Sequence, residues 1–113
     1  MAIEVRKKGD VSVLDISGKL TIGQGDVQLR EKFLELLDAG ERKFVFNMLR
    51  VPYVDSAGLG ETVACHKRAA ERGGSIRLVM APRSKPQAVF VLAALDRVFE
   101  IHDSVEKAEA AFS

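Results

Sequence analysis

The stretch Phe44-Val45-Phe46-Asn47-Met48-Leu49-Arg50-Val51-Pro52-Tyr53-Val54-Asp55-Ser56-Ala57-Gly58-Leu59-Gly60 decides how this chain is read. Its first part is almost continuously apolar and short, the pattern of a strand covered on both faces. Pro52 and the polar residues around it break that run, and a helical pattern follows from Ala57 to Arg72, closed by Gly73-Gly74. Ser56 therefore falls in a strand-to-helix connection, at the C-terminal side of a sheet. Functional groups of open α/β folds gather at that edge.

Working outward, Ile3–Lys8 and Val11–Ser17 read as strands joined by the tight turn Gly9-Asp10, an antiparallel hairpin. Gly18 to Gly25 reads as a loop. Asp26 opens a helix whose Leu29, Phe33, Leu36 and Leu37 share one face, and Ala39-Gly40 ends it. Ile76–Met80 is a further strand. Ser84-Lys85-Pro86 starts a helix carrying Val89, Leu92 and Leu95 on its inner stripe. Val98–Ile101 is expected as the last strand. Asp103 is expected to cap a final helix, with Glu106 completing a capping box and Val105, Ala108 and Phe112 buried. The order β-β-α-β-α-β-α-β-α predicts an α/β fold, a mixed five-stranded sheet packed by about four helices, in one domain over residues 1–113.

Composition narrows the function. With 17 basic and 16 acidic residues the net charge is +1, without the basic excess of a dedicated nucleic-acid binder. A single cysteine, Cys65, allows no internal disulfide and fits a reducing compartment. The N-terminus lacks a signal-peptide core, and the longest apolar run, Ala88–Leu95, is too short to span a bilayer. The expectation is a cytoplasmic protein, or a piece of a larger one, without membrane insertion.

Enzyme chemistry finds little support. Val54 stands where a Gly-x-Ser-x-Gly elbow needs its first glycine. His66 lies about 15 Å further along the same helix as Ser56, too far to act as its base. Cys65 and His66 are adjacent on a helix and cannot share a face, so no metal is expected. No phosphate-cradling loop is present, and Gly58-Leu59-Gly60 lacks the third glycine of a dinucleotide fingerprint. No cofactor is expected.

What remains is the helix start. Either Asp55 or Ser56 caps it, which sets Ser56 beside unpaired N–H groups and the positive end of the helix dipole. Capping preference alone would explain the serine. Gly58 and Gly60, however, lower helix propensity by up to about 1 kcal/mol each, and leave room for a partner to approach the backbone. Arg50 and Tyr53, close by in sequence, are expected interface residues, with partial core packing an equally good reading of Tyr53.

The quoted stretch, with Gly18-Lys19-Leu20 after the second strand and Phe99-Glu100-Ile101-His102-Asp103-Ser104 before the last helix, resembles the STAS domain family over essentially the whole chain. Its type members are bacterial anti-sigma factor antagonists. The resemblance implies an interaction protein, not an enzyme. It would bind an anti-sigma factor that is also a serine kinase, lose that partner once the kinase phosphorylates Ser56, and be reset by a protein phosphatase. By the same resemblance Asp55, Gly58, Gly60, Tyr53, Arg50, Thr21 and Asp26 are candidate partner-binding residues. Two departures stand out. Ala57 replaces a second serine common in the family, and Thr21 stands where many members carry Asp, with Asp26 nearby as a substitute acid. The alternative is a STAS subunit of a signalling scaffold or membrane transport complex that is not phosphorylated. A monomer or weak dimer is expected.

Overall fold

Alternating strand and helix patterns can bury their apolar faces only by layering, and the chain does so around one sheet. The structure, a computed structural model, describes residues 1–112. Strand β1 (Ala2–Lys8) pairs antiparallel with β2 (Val11–Ser17). Helix α1 (Gly25–Asp38) leads to β3 (Lys43–Arg50), and α2 (Ser56–Glu71) to β4 (Ser75–Val79). Then follow α3 (Lys85–Leu92), a 3-10 turn (Leu95–Arg97), β5 (Ile101–His102) and α4 (Val105–Ala110). The sheet order is β1-β2-β3-β4-β5, with β2 to β5 parallel, so the expected mixed sheet and element order are found.

The two faces carry separate cores. Leu14, Ile16, Phe44, Phe46, Met48 and Leu78 pack against Leu29 and Phe33 of α1, Cys65 and Ala69 of α2 and Phe90 of α3. Phe33 sits 4.8 Å from Phe44 and 5.9 Å from Phe46, ring centre to ring centre. On the opposite face Val11, Val13, Val45 and Val79 meet Val105 and Ala108 of α4, with Phe112 alongside. The near-continuous apolar run of β3 thus serves both cores, as a two-sided strand must.

Three local expectations are corrected. The last strand is Ile101–His102, not Val98–Ile101, because the amides of Val98 and Phe99 are taken by the Leu95 carbonyl in the 3-10 turn. The final helix is capped by Ser104, whose Oγ accepts from Lys107 N–H, not by Asp103. Leu92, assigned to the buried stripe of its helix, is 88% exposed; Phe90 fills the core from that helix instead.

Candidate functional site

The β2–α1 and β3–α2 loops emerge side by side because β2 and β3 are parallel neighbours. Asp15 pairs with Asn47 but Ser17 with Arg50, so β3 carries one extra residue where it leaves the sheet. The pairing then continues into the loops. Gly18 N–H donates to the Arg50 carbonyl at 3.1 Å, Leu20 N–H to the Tyr53 carbonyl at 3.0 Å, and Asp55 N–H to the Leu20 carbonyl at 3.3 Å. Val51 and Val54 turn inward, and Tyr53, between them, is 47% exposed.

Leu20 holds the assembly together. It is fully buried, and both helix starts close on it. A methyl group at Gly58 would stand 2.1 Å from the Leu20 carbonyl oxygen, and one at Gly25 would stand 2.9 Å from Leu20 Cα. Only glycine lets α2 approach that closely. This corrects the reading of Gly58: the space it frees is filled by this chain's own loop. Gly60, exposed and with nothing within 4 Å, keeps the role of an open surface.

Asp55 proves to be the cap of α2. One carboxylate oxygen accepts from Gly58 N–H at 2.8 Å, while the other reaches across to Ile22 N–H at 3.0 Å. The hydrogen bonds from Gly58 and Ile22 hold its carboxyl below the ordinary aspartate range. Asp26 does a similar job within its own loop, accepting from Gly23 N–H and Val27 N–H, both at 2.9 Å, while its own N–H donates to the Thr21 carbonyl. Thr21 is half-buried, and the neighbouring Ile22 is 75% exposed.

Ser56 is the first residue of α2 and is exposed. Among the described residues its hydroxyl makes no hydrogen bond, since Asp55 already answers the cap. One turn further, Thr62 Oγ1 donates to the Gly58 carbonyl at 2.9 Å, anchoring the start of the helix from inside. Behind it lies a feature the sequence reading missed: the buried Glu61 carboxylate pairs with Arg30 of α1 at 3.1 Å and Arg68 of α2 at 3.0 Å. Arg50 is exposed at the end of β3, beside a cleft of about 300 Å³ that it shares with Arg6, Asp15 and Ser17. Ser56, Tyr53, Gly60 and Ile22 are thus exposed residues carried by two interlocked loops and one helix start.

Cys65 is buried, and loss of solvation pushes its thiol far above the ordinary range, so it is an inert core residue. His66 packs edge-on against Phe99 at 5.1 Å. Among the described residues no cluster of metal-ligating side chains forms, and no helix is long and apolar enough to cross a membrane.

Comparison with known proteins agrees with this architecture. A Thermotoga maritima protein assigned as an anti-sigma factor antagonist is 31% identical over 99 residues, 88% of this chain and 87% of its own length. A crystal structure of a protein named as an anti-sigma factor antagonist from the same organism superposes with a TM-score of 0.88 at 28% identity, over 96% of this chain and 92% of that one. The Bacillus cell-fate determinant SpoIIAA in its phosphorylated form shares the fold, with a TM-score of 0.75 at 19% identity, over 99% of this chain and 100% of that one. The STAS domain family model matches residues 2–108, and the chain therefore belongs to the STAS domain family.

Proposed function

We propose that this chain is an anti-sigma factor antagonist. It binds an anti-sigma factor kinase while Ser56 is unmodified and is released when Ser56 carries phosphate. The single observation behind this reading is the state of Ser56. It stands exposed on the first turn of α2, with its hydroxyl unengaged and its capping role taken by Asp55. The names of the Thermotoga relatives support the class of partner.

The electrostatics suit a switch. A phosphate adds about −1.5 to −2 charges. The N-terminal end of α2 tolerates that charge, whereas Asp55 repels it and already occupies the Gly58 donor. The phosphate stays at the surface, so the fold is kept and the partner meets a changed charge. Tyr53, Gly60 and Ile22 form the contact surface around the hydroxyl, with Thr21, Asp26 and Arg50 at its margin. Asp55 shapes it, and Gly58 acts from inside by letting α2 seat on Leu20. A phosphatase returns the protein to the binding form. Kinase, ATP and phosphatase place this cycle in the cytoplasm.

The test is phosphosite mapping by mass spectrometry after incubation with ATP and the anti-sigma kinase of the same genome. Phosphate on Ser56, absent in Ser56→Ala, is expected. Modification at another residue, or none, overturns the proposal.

A further inference from the structure

Strand β5 is an open edge of the sheet, hydrogen-bonded to β4 alone. Leu78 N–H donates to the Glu100 carbonyl and Met80 N–H to the His102 carbonyl, both at 3.0 Å. In a ladder, alternate residues bond to opposite sides, so the N–H and C=O of Ile101 point away from the sheet. The other edge is defended differently: β1 exposes Glu4, Arg6 and Lys7, charges that discourage edge pairing. Along β5 exposed apolar side chains stand among charged ones. Val91 and Val98 are about half exposed, and both line a groove of about 430 Å³ that runs between α3, the 3-10 turn and β5. Asp96, Arg97, Glu100 and His102 give its rim both signs of charge.

We propose that two copies of this chain pair through β5, antiparallel about a two-fold axis at Ile101. That register sets Ile101 opposite Ile101, where each donates its outward N–H to the other's carbonyl. It also sets Glu100 of each copy opposite His102 of the other, and Phe99 opposite Asp103. An isologous contact needs a surface complementary to itself, and the mixed rim meets that condition. Val98 and Val91 of both copies flank the new strand pair and leave water together. Strands this short bury less than the roughly 1,000 Å² of a lasting interface without that apolar shoulder. The dimer is accordingly weak and concentration-dependent, and it carries two Ser56 loops.

Sedimentation equilibrium of the full chain from about 10 μM to about 1 mM tests this, a range that brackets weak self-association. The mass is expected to rise from 12.4 kDa toward twice that value. Ile101→Pro removes an outward-facing donor, a change edge strands tolerate, and trims a side chain that packs on the edge of the core. Val91→Lys alters a half-exposed side chain that lines the groove and lies outside the core. Both variants are expected to keep the wild-type circular dichroism and to weaken dimerisation at least tenfold. Should Ile101→Pro fail to fold, Val91→Lys carries the test alone. A wild-type chain that stays at 12.4 kDa throughout overturns the proposal and leaves this edge to a strand of another protein. So does a dimer that both folded variants form as tightly as wild type.

Discussion

At the scale of single residues, the two glycines of the α2 start do opposite things. Gly58 is buried against the Leu20 carbonyl, so Gly58→Ala forces backbone apart and is expected to lower stability by about 1–3 kcal/mol. Gly60 faces open space in a helical conformation, so Gly60→Ala is expected to raise stability by up to about 1 kcal/mol while weakening partner binding. Chemical denaturation of the two variants, with partner affinity measured beside it, checks both signs. Asp55 gives a pH-dependent test. Its carboxyl titrates lower in the fold than in the unfolded chain, because Gly58 and Ile22 N–H groups bond to the charged form. Its contribution is therefore complete above the ordinary aspartate range, around pH 4, and is lost as pH falls through the depressed value. The stability gap between wild type and Asp55→Asn is expected to be constant near neutrality and to close in acid. A gap that widens in acid contradicts the hydrogen-bond assignment. The sequence placed Ser56 correctly at the junction, but could not choose the cap, because Asp and Ser cap equally well. The Ile22 amide, distant in the chain, makes the choice.

At the scale of elements, the packing of α1 on α2 includes a buried carboxylate with an asymmetric cost. Removing Glu61 leaves Arg30 and Arg68 partly exposed and able to find water. Removing both arginines leaves a buried, unpaired carboxylate. Glu61→Ala is thus expected to cost about 1 kcal/mol and the double change Arg30→Ala/Arg68→Ala about 3 kcal/mol, by urea denaturation. Periodicity identified α1, because one apolar stripe was there to see, while the Gly9-Asp10 turn marked the hairpin and Gly73-Gly74 the end of α2. It failed around α3, where the run from Ala88 to Leu92 is apolar without interruption and so offers no stripe. Nor did a glycine mark the end of that helix: Ala94 takes the left-handed conformation, φ +59°, that glycine usually fills. Ala94→Gly is expected to stabilise the chain by about 0.5–1 kcal/mol, visible as a raised Tm. The short β5 follows from the same place, since the 3-10 turn consumes the amides of a segment whose β-branched and aromatic residues read as a strand.

At the scale of the molecule, sheet order places the β2 and β3 loops together, and this juxtaposition makes a site from segments far apart in sequence. The mixed five-stranded sheet was legible because β-α alternation admits few topologies. The fit of Leu20 between Gly25 and Gly58 was not, since it depends on long-range register. The surface so built is small, neutral in the main and centred on one hydroxyl. A charge added there changes what a partner meets without disturbing either core. The central claim is therefore a difference in affinity, and titration calorimetry against the anti-sigma kinase of the same genome measures it directly. Unmodified protein is expected to bind at least 100-fold more tightly than protein phosphorylated on Ser56, a difference of about 2.7 kcal/mol. Equal affinity of the two forms, with both still folded, would contradict it.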